Sequence, residues 1–314
     1  MRIVILILLT VLITNSGSKA AEIYSLELQS INRLYRLHNT EITKTGPAPL
    51  VVSIHGYRGR EQAIKDRSKL SAIVWDKLDE VALREGFVVA NPAAHWGQWS
   101  LFRGLKNTKL EDGQDIDDVG FIFKMVDNLI EEGIADPERI YLTGFSDGAI
   151  MSYRLLCEPA SPFAAAVPTA GTMSEKHSNH CASETPTPLM VIAGTNDLIL
   201  PYDGWIYKAG REISIPETME FWRLRHGCAR QKTKLLDDVN KADNSRVRLV
   251  EWTECIQEGA VKLLRVEGGG HTSPSYDPVS ENWLKKAGGH NQDIESADEV
   301  WKFFNVFRLP KPND

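Results

Sequence analysis

Apolar residues in this chain fall into short unbroken runs, and between the runs their spacing changes to that of helices. Residues 50–54 (Leu-Val-Val-Ser-Ile), 87–90, 140–142, 164–167 and 189–192 are such runs. They suit strands buried on both faces, as in a parallel sheet. Residues 22–37 read as two shorter strands, with Ile23, Leu26, Leu28, Leu34 and Tyr35 at the apolar positions. Helical spacing is found over 70–83, closed by Gly86, over 119–134, directly after Ser146, and over 216–226. Residues 247–252 and 261–266 read as late strands. A final helix starts at Ser296 with Glu299 three positions on, a capping-box pattern, and buries Val300, Phe303, Phe304 and Phe307. Residues 96–117 are polar and aperiodic, the pattern of a long loop over a site. Strands alternating with helices predict an α/β fold, a mostly parallel central sheet with helices on both faces. With no repeat and no linker in view, residues 21–314 are expected to form one domain.

The first twenty residues are expected to lie outside that fold. Arg2 precedes an apolar run to Ile13, and small polar residues follow, ending at Ser18, Lys19 and Ala20. A short positive start, an apolar core and a small-residue end describe a secretory signal peptide cleaved after Ala20. The run is shorter than the roughly 20 residues of a membrane span. The mature chain is therefore expected without a membrane anchor, either secreted or periplasmic. An oxidising destination suits the four cysteines. Of the three possible pairings, sequence order favours Cys157–Cys181 and Cys228–Cys255, each closing a loop of about 25 residues. A net charge of −6 with no basic run argues against nucleic acid as a partner.

The candidate chemistry centres on Gly144, Ser146 and Gly148, a Gly-x-Ser-x-Gly pattern lying between an apolar run and a helix. That context is the nucleophile elbow, a serine on a tight turn between strand and helix. A serine hydroxyl needs a base, and in this architecture acid and histidine follow the serine in that order. Asp197 lies just past the apolar run 189–192. His271 follows Gly268, Gly269 and Gly270 after the strand at 261–266. His226 and His290 compete as bases, but His226 sits on a helix and no strand leads into His290. Backbone N–H groups of Asp147, next to the serine, and of Tyr57, after His55-Gly56, are the expected oxyanion donors. Nothing in the sequence calls for a metal or an organic cofactor.

Four motifs occur together in order: Ile54-His55-Gly56, Gly144-Phe145-Ser146-Asp147-Gly148, Gly194 with Asp197 and Pro201-Tyr202, and Gly268-Gly269-Gly270-His271-Thr272. In this the chain resembles the secreted polyhydroxybutyrate depolymerase and feruloyl esterase family of the α/β-hydrolase fold. The segment Asp117-Asp118-Val119-Gly120-Phe121 looks like that family's helix start. Cys157 and Cys228 fall where the family often has bridged cysteines. The resemblance implies Ser146 as nucleophile, Asp197 as acid and His271 as base. It also implies an ester substrate, an aryl or acyl ester on polysaccharide or a hydroxyalkanoate oligomer. The chain departs from the family at Asp147 and Ala149, where Asn and Gly are common, and at Ser273, where a Trp is usual. A bulky cleft wall would then come from Trp96, Trp99 or Trp205. An exopeptidase on the same fold, and a non-catalytic binding protein that kept it, are the competing readings.

Overall fold

The computed structural model describes residues 22–57, 75–101, 108–183, 186–207, 210–256 and 261–310. The predicted export segment, 1–20, and the start of the predicted helix, 70–74, lie outside them. In chain order the strands are β1 (Glu22–Leu28), β2 (Ile31–His38), β3 (Ala48–Ile54), β4 (Val88–Pro92), β5 (Ala135–Phe145), β6 (Ala165–Thr169) and β7 (Leu189–Gly194). They continue as β8 (Trp205–Tyr207), β9 (Gly210–Glu212), β10 (Arg230–Leu235), β11 (Arg246–Thr253) and β12 (Val261–Glu267). The helices are α1 (Asp76–Glu85), α2 (Asp118–Glu131), α3 (Asp147–Cys157), α4 (Glu175–Asn179), α5 (Ile215–Arg225), α6 (Glu281–Ala287) and α7 (Ser296–Phe304).

One sheet runs β1-β2-β4-β3-β5-β6-β7-β12-β11-β10. From β4 to β12 neighbouring strands are parallel, and both flanks are antiparallel. The parallel centre is built from the unbroken apolar runs, and its crossovers require the helices that alternate with them. The flanks are hairpins. β1 and β2 turn through Gln29 and Ser30, both at positive φ, which matches the twist of paired strands. The outermost strand, β10, reads Arg-Gln-Lys-Thr-Lys-Leu and is exposed throughout, a charged edge that discourages further pairing.

Each central strand supplies both cores. Along β3, Leu50, Val52 and Ile54 face α2 and α3, where they meet Phe121, Met125, Ile150 and Met151. Val51 faces the opposite side with Val89, Tyr141 and Val167, against Leu78 of α1 and Val300, Trp301 and Phe304 of α7. No described helix is long and apolar enough to cross a membrane.

Several local expectations change. α7 is capped by the Glu295 side chain on Ala297 N–H, and Ser296 Oγ instead donates to Pro274 O at 2.6 Å. A tertiary partner has taken the hydroxyl that the expected capping box would use. The capping box that forms is Ser214 with Glu217, at the start of α5. Strand β4 continues through Asn91 and Pro92, because Pro92 pairs with Tyr35 at the strand's end, where a missing N–H is tolerated. Cys157 is bridged to Cys181 and Cys228 to Cys255.

Candidate active site

Strand β5 delivers Ser146 to the amino end of α3. The serine has φ 59° and ψ −122°, a strained region for a residue with a Cβ. Packing holds it there. A Cβ on Gly144 would stand 2.2 Å from Gly148 O, and one on Gly148 would stand 2.1 Å from Ile54 O. The glycines of the motif thus let strand, turn and helix close on each other and on the end of β3. Ser146 N–H donates to Thr169 O of β6 at 3.0 Å, which fixes the turn from the other side.

Asp197 and His271 arrive from the ends of β7 and β12, neighbours in the sheet although 74 residues apart in sequence. Gly194 on β7 and Gly270 before His271 allow close approach of backbone. A Cβ on Gly194 would stand 2.3 Å from Gly269 O, and one on Gly270 would stand 2.2 Å from Ala287 O. Backbone bonds from Asn196 N to Gly269 O and from His271 N to Ala287 O close the contact. In that frame His271 Nδ1 lies 2.8 Å from Asp197 Oδ2, and His271 Nε2 lies 2.9 Å from Ser146 Oγ. A carboxylate only accepts, so Nδ1–H donates to Asp197 and Nε2 is left to accept the serine proton. Asp197 Oδ1 accepts from the N–H groups of Ile199 and Leu200, which fixes the carboxyl plane. All three side chains are buried. The rival histidines are placed elsewhere: His226 Nε2 bonds Thr187 O, and His290 Nε2 bonds Asp277 O.

The two expected oxyanion donors belong to two turns that meet at the serine. Asp147 N–H is in the first turn of α3, where a helix offers no internal acceptor. Tyr57 follows Gly56, whose added Cβ would stand 3.1 Å from Ser146 Cβ, so this turn touches the elbow. The Asp147 side chain is buried and does not line the adjoining cavity. His55, before the turn, is buried, and burial pushes its imidazole down to about 4.

A cavity of about 310 Å³ opens beside His271. Trp75, Phe145, Val279 and Trp283 form its apolar wall, with Ser53, Thr143 and Thr169 as polar groups. Ser273 lines it as well, and the wall is supplied by tryptophans that sequence reasoning missed. Trp283 lies 6.5 Å from the His271 ring on α6, a helix whose start at Ser280 was the only available signal. The expected tryptophans are elsewhere. Trp99 has no exposed surface, packs its ring against His55 at 4.7 Å in a tilted arrangement and donates Nε1–H to His55 O, so it supports the loop. Trp96 is half-exposed against His95, and Trp205 packs near Tyr207 in the β8–β9 hairpin; neither lines the cavity. Among the described residues no group of three or more His, Cys, Asp or Glu side chains could hold a metal ion.

A serine on a strand-to-helix turn, aligned with an imidazole and a carboxylate, can act as an acylated nucleophile. The chain has the α/β-hydrolase fold. More narrowly, it belongs to the phospholipase/carboxylesterase family, whose model matches residues 44–215, over half of its length. It is 25% identical over 238 residues to a bifunctional acetylxylan esterase/xylanase of Neocallimastix patriciarum, covering 75% of this chain and 30% of that protein. To feruloyl esterase B of Piromyces equi it is 28% identical over 236 residues, covering 71% of this chain and 39% of that one. The chain thus spans well under half the length of either relative. An acetyl xylan esterase from Aspergillus awamori superposes with a TM-score of 0.58, covering 90% of this chain and 99% of that one. At 16% identity that likeness is one of fold.

Proposed function

We propose that the chain is an exported serine esterase that cleaves acyl or aryl esters of plant polysaccharide through an acyl-enzyme. The observation that carries the proposal is the hydrogen-bonded line Asp197–His271–Ser146, with an aromatic-walled cavity beside the imidazole. Ser146 Oγ attacks the ester carbonyl while His271 Nε2 takes its proton. Asp197 holds the tautomer and stabilises the imidazolium. The N–H groups of Tyr57 and Asp147 stabilise the tetrahedral oxyanion. His271 then returns the proton to the leaving alcohol, and water releases the acid by the same route.

The names of the relatives offer acetyl and feruloyl groups as acyl candidates. The cavity is far larger than an acetyl group needs, and Trp75, Phe145 and Trp283 suit a flat aryl acyl chain. A hydroxybutyrate oligomer is the alternative within the same chemistry. Export is supported by the two disulfides and by the signal-peptide pattern of residues 1–20.

The deciding experiment is hydrolysis by the mature chain of p-nitrophenyl acetate and butyrate, methyl ferulate, acetylated xylan and a 3-hydroxybutyrate oligomer. Ser146→Ala runs beside each and is expected to lose on the order of a million-fold in kcat. Preference for methyl ferulate supports the aryl reading, and preference for the oligomer replaces it with a polyester depolymerase. Wild-type turnover no better than that of the variant would reject the assignment of Ser146.

A further inference from the structure

The loop after β3 carries a buried histidine that the chemistry above does not use. His55 Nε2 lies 3.0 Å from Ala94 N, and a backbone N–H can only donate. Nε2 is therefore unprotonated, and the proton of the neutral ring is on Nδ1. Nδ1 lies 2.6 Å from Gly56 O, so it donates to the carbonyl of the next residue. That carbonyl and the Tyr57 N–H are opposite ends of one planar trans peptide unit. Holding the oxygen fixes the direction of the N–H. We propose that His55 is a positioning residue for the oxyanion hole, orienting the peptide unit that presents Tyr57 N–H to the reacting carbonyl oxygen. The inference rests on the reading of Ser146 as nucleophile and Tyr57 N–H as donor.

The surroundings are built to hold the ring still. Trp99 donates Nε1–H to His55 O at 2.9 Å and packs its ring, tilted by 33°, against the imidazole. Ala94 and Trp99 belong to the loop that follows β4, and that loop is tied down at both ends. Arg33 Nη2 donates to Ala93 O at 3.2 Å, and Ser100 N–H donates to Asp118 Oδ2 at 2.7 Å. Arg33 and Asp118 pair with each other at 2.7 Å, both buried. A continuous polar path thus runs from β2 and α2 through the loop to the imidazole and on to one carbonyl. Gly56 is left no lateral room, since its added Cβ would stand 3.1 Å from Ser146 Cβ and 3.3 Å from Phe145 O. A small rotation of the 56–57 peptide is the freedom that remains, and the Nδ1–H bond removes it.

Two substitutions separate positioning from mere support. His55→Asn keeps a donor at the Nδ1 position and loses the acceptor for Ala94. His55→Gln keeps an acceptor at the Nε2 position and loses the donor to Gly56. Each is measured in the mature chain for kcat and KM with p-nitrophenyl butyrate. Each is also measured for inhibition by a trifluoromethyl ketone, whose adduct places an oxyanion in the hole, and for melting temperature. Losing one oxyanion donor costs roughly 100-fold in kcat. The Gln variant is expected to lose about that factor in kcat and in inhibitor affinity, with KM little changed. The Asn variant is expected to stay within about tenfold of wild type on the same scale. Equal or better activity in the Gln variant, or losses confined to KM, would overturn the proposal. Should both variants fail to fold, nitrogen NMR of the wild-type imidazole decides: a proton on Nδ1 upholds the proposal and a proton on Nε2 ends it. Absence of Ser146-dependent turnover in the wild type would sink the functional reading instead, leaving the tautomer to judge the His55 geometry.

Discussion

The contact between the elbow and the end of β3 can be tested with one methyl group, Gly148→Ala. The new Cβ would lie 2.1 Å from Ile54 O, 2.7 Å from Ile54 C and 2.8 Å from His55 O. Ordinary contact begins near 3.4 Å, so the two backbones must separate by about 1.3 Å. These atoms are backbone, and no side chain can swing aside to make room. The segment displaced is the one that runs through His55 and Gly56 to Tyr57. A shift of about 1 Å in a catalytic group costs roughly 100-fold, as does loss of one oxyanion donor. We therefore expect kcat/KM for p-nitrophenyl butyrate to fall about 100-fold, equivalent to about 2.7 kcal/mol. Stability falls less, because overpacking costs about 1–3 kcal/mol and alanine in a helix recovers up to about 1 kcal/mol over glycine. The informative result is a variant that folds and melts cooperatively yet is catalytically poor. The control is Gly86→Ala at the end of α1, where φ is 78° and nothing surrounds the new methyl. It should lose about 1 kcal/mol of stability and no activity. If Gly148→Ala is folded and within about threefold of wild-type kcat/KM, the elbow does not position the loop as argued.

Asp197→Asn should lower kcat by about 10⁴-fold while labelling of Ser146 by a fluorophosphonate slows in parallel, since the His271 tautomer is no longer fixed; unchanged labelling rates would contradict that. If the acyl group occupies the cavity lined by Trp283, as proposed, Trp283→Ala should cut kcat/KM for methyl ferulate about tenfold and leave p-nitrophenyl acetate unaffected. Removing the Cys228–Cys255 bridge by double Ser substitution should cost about 3 kcal/mol in denaturant unfolding, with turnover of the folded enzyme unchanged. His55 should impose a pH dependence on stability. Burial lowers its pKa from 6.5 to about 4, so between those values the unfolded chain binds a proton that the folded chain does not. Its contribution, about 3 kcal/mol, is present above pH 6.5 and is lost as pH falls to 4. Denaturant midpoints for wild type and His55→Asn should converge over that window, and parallel curves would refute the assignment.

The central strands were legible because burial on both faces leaves an apolar run that no helix of that length imitates. The elbow was legible because its glycines are local: Gly144 and Gly148 lie within a few residues of the hydroxyl they make room for. Polar short elements were not. β10 carries charge at Arg230, Lys232 and Lys234 and is held as a strand by its pairing with β11, which no apolar pattern within 230–235 announces. The Ser296 pattern shows the reverse case, a local signal overruled by Pro274 O, a partner 22 residues upstream.

Within the sequence lay the α/β architecture, the order serine, acid, histidine, and the turn that exposes Ser146. These follow from hydrophobic period and from steric demands that act between near neighbours. Only the tertiary structure decided which tryptophans form the cavity wall, since Trp99 is spent on His55 while Trp75 and Trp283 converge from distant segments. Only it showed that His55 bonds the carbonyl of the peptide before Tyr57, and that Gly270 makes room for Ala287 and Gly289 while Gly268 makes room for Asn244. A sequence specifies what a residue can do. Which partner it meets depends on strand order in the sheet, and that order is set by packing across the whole chain.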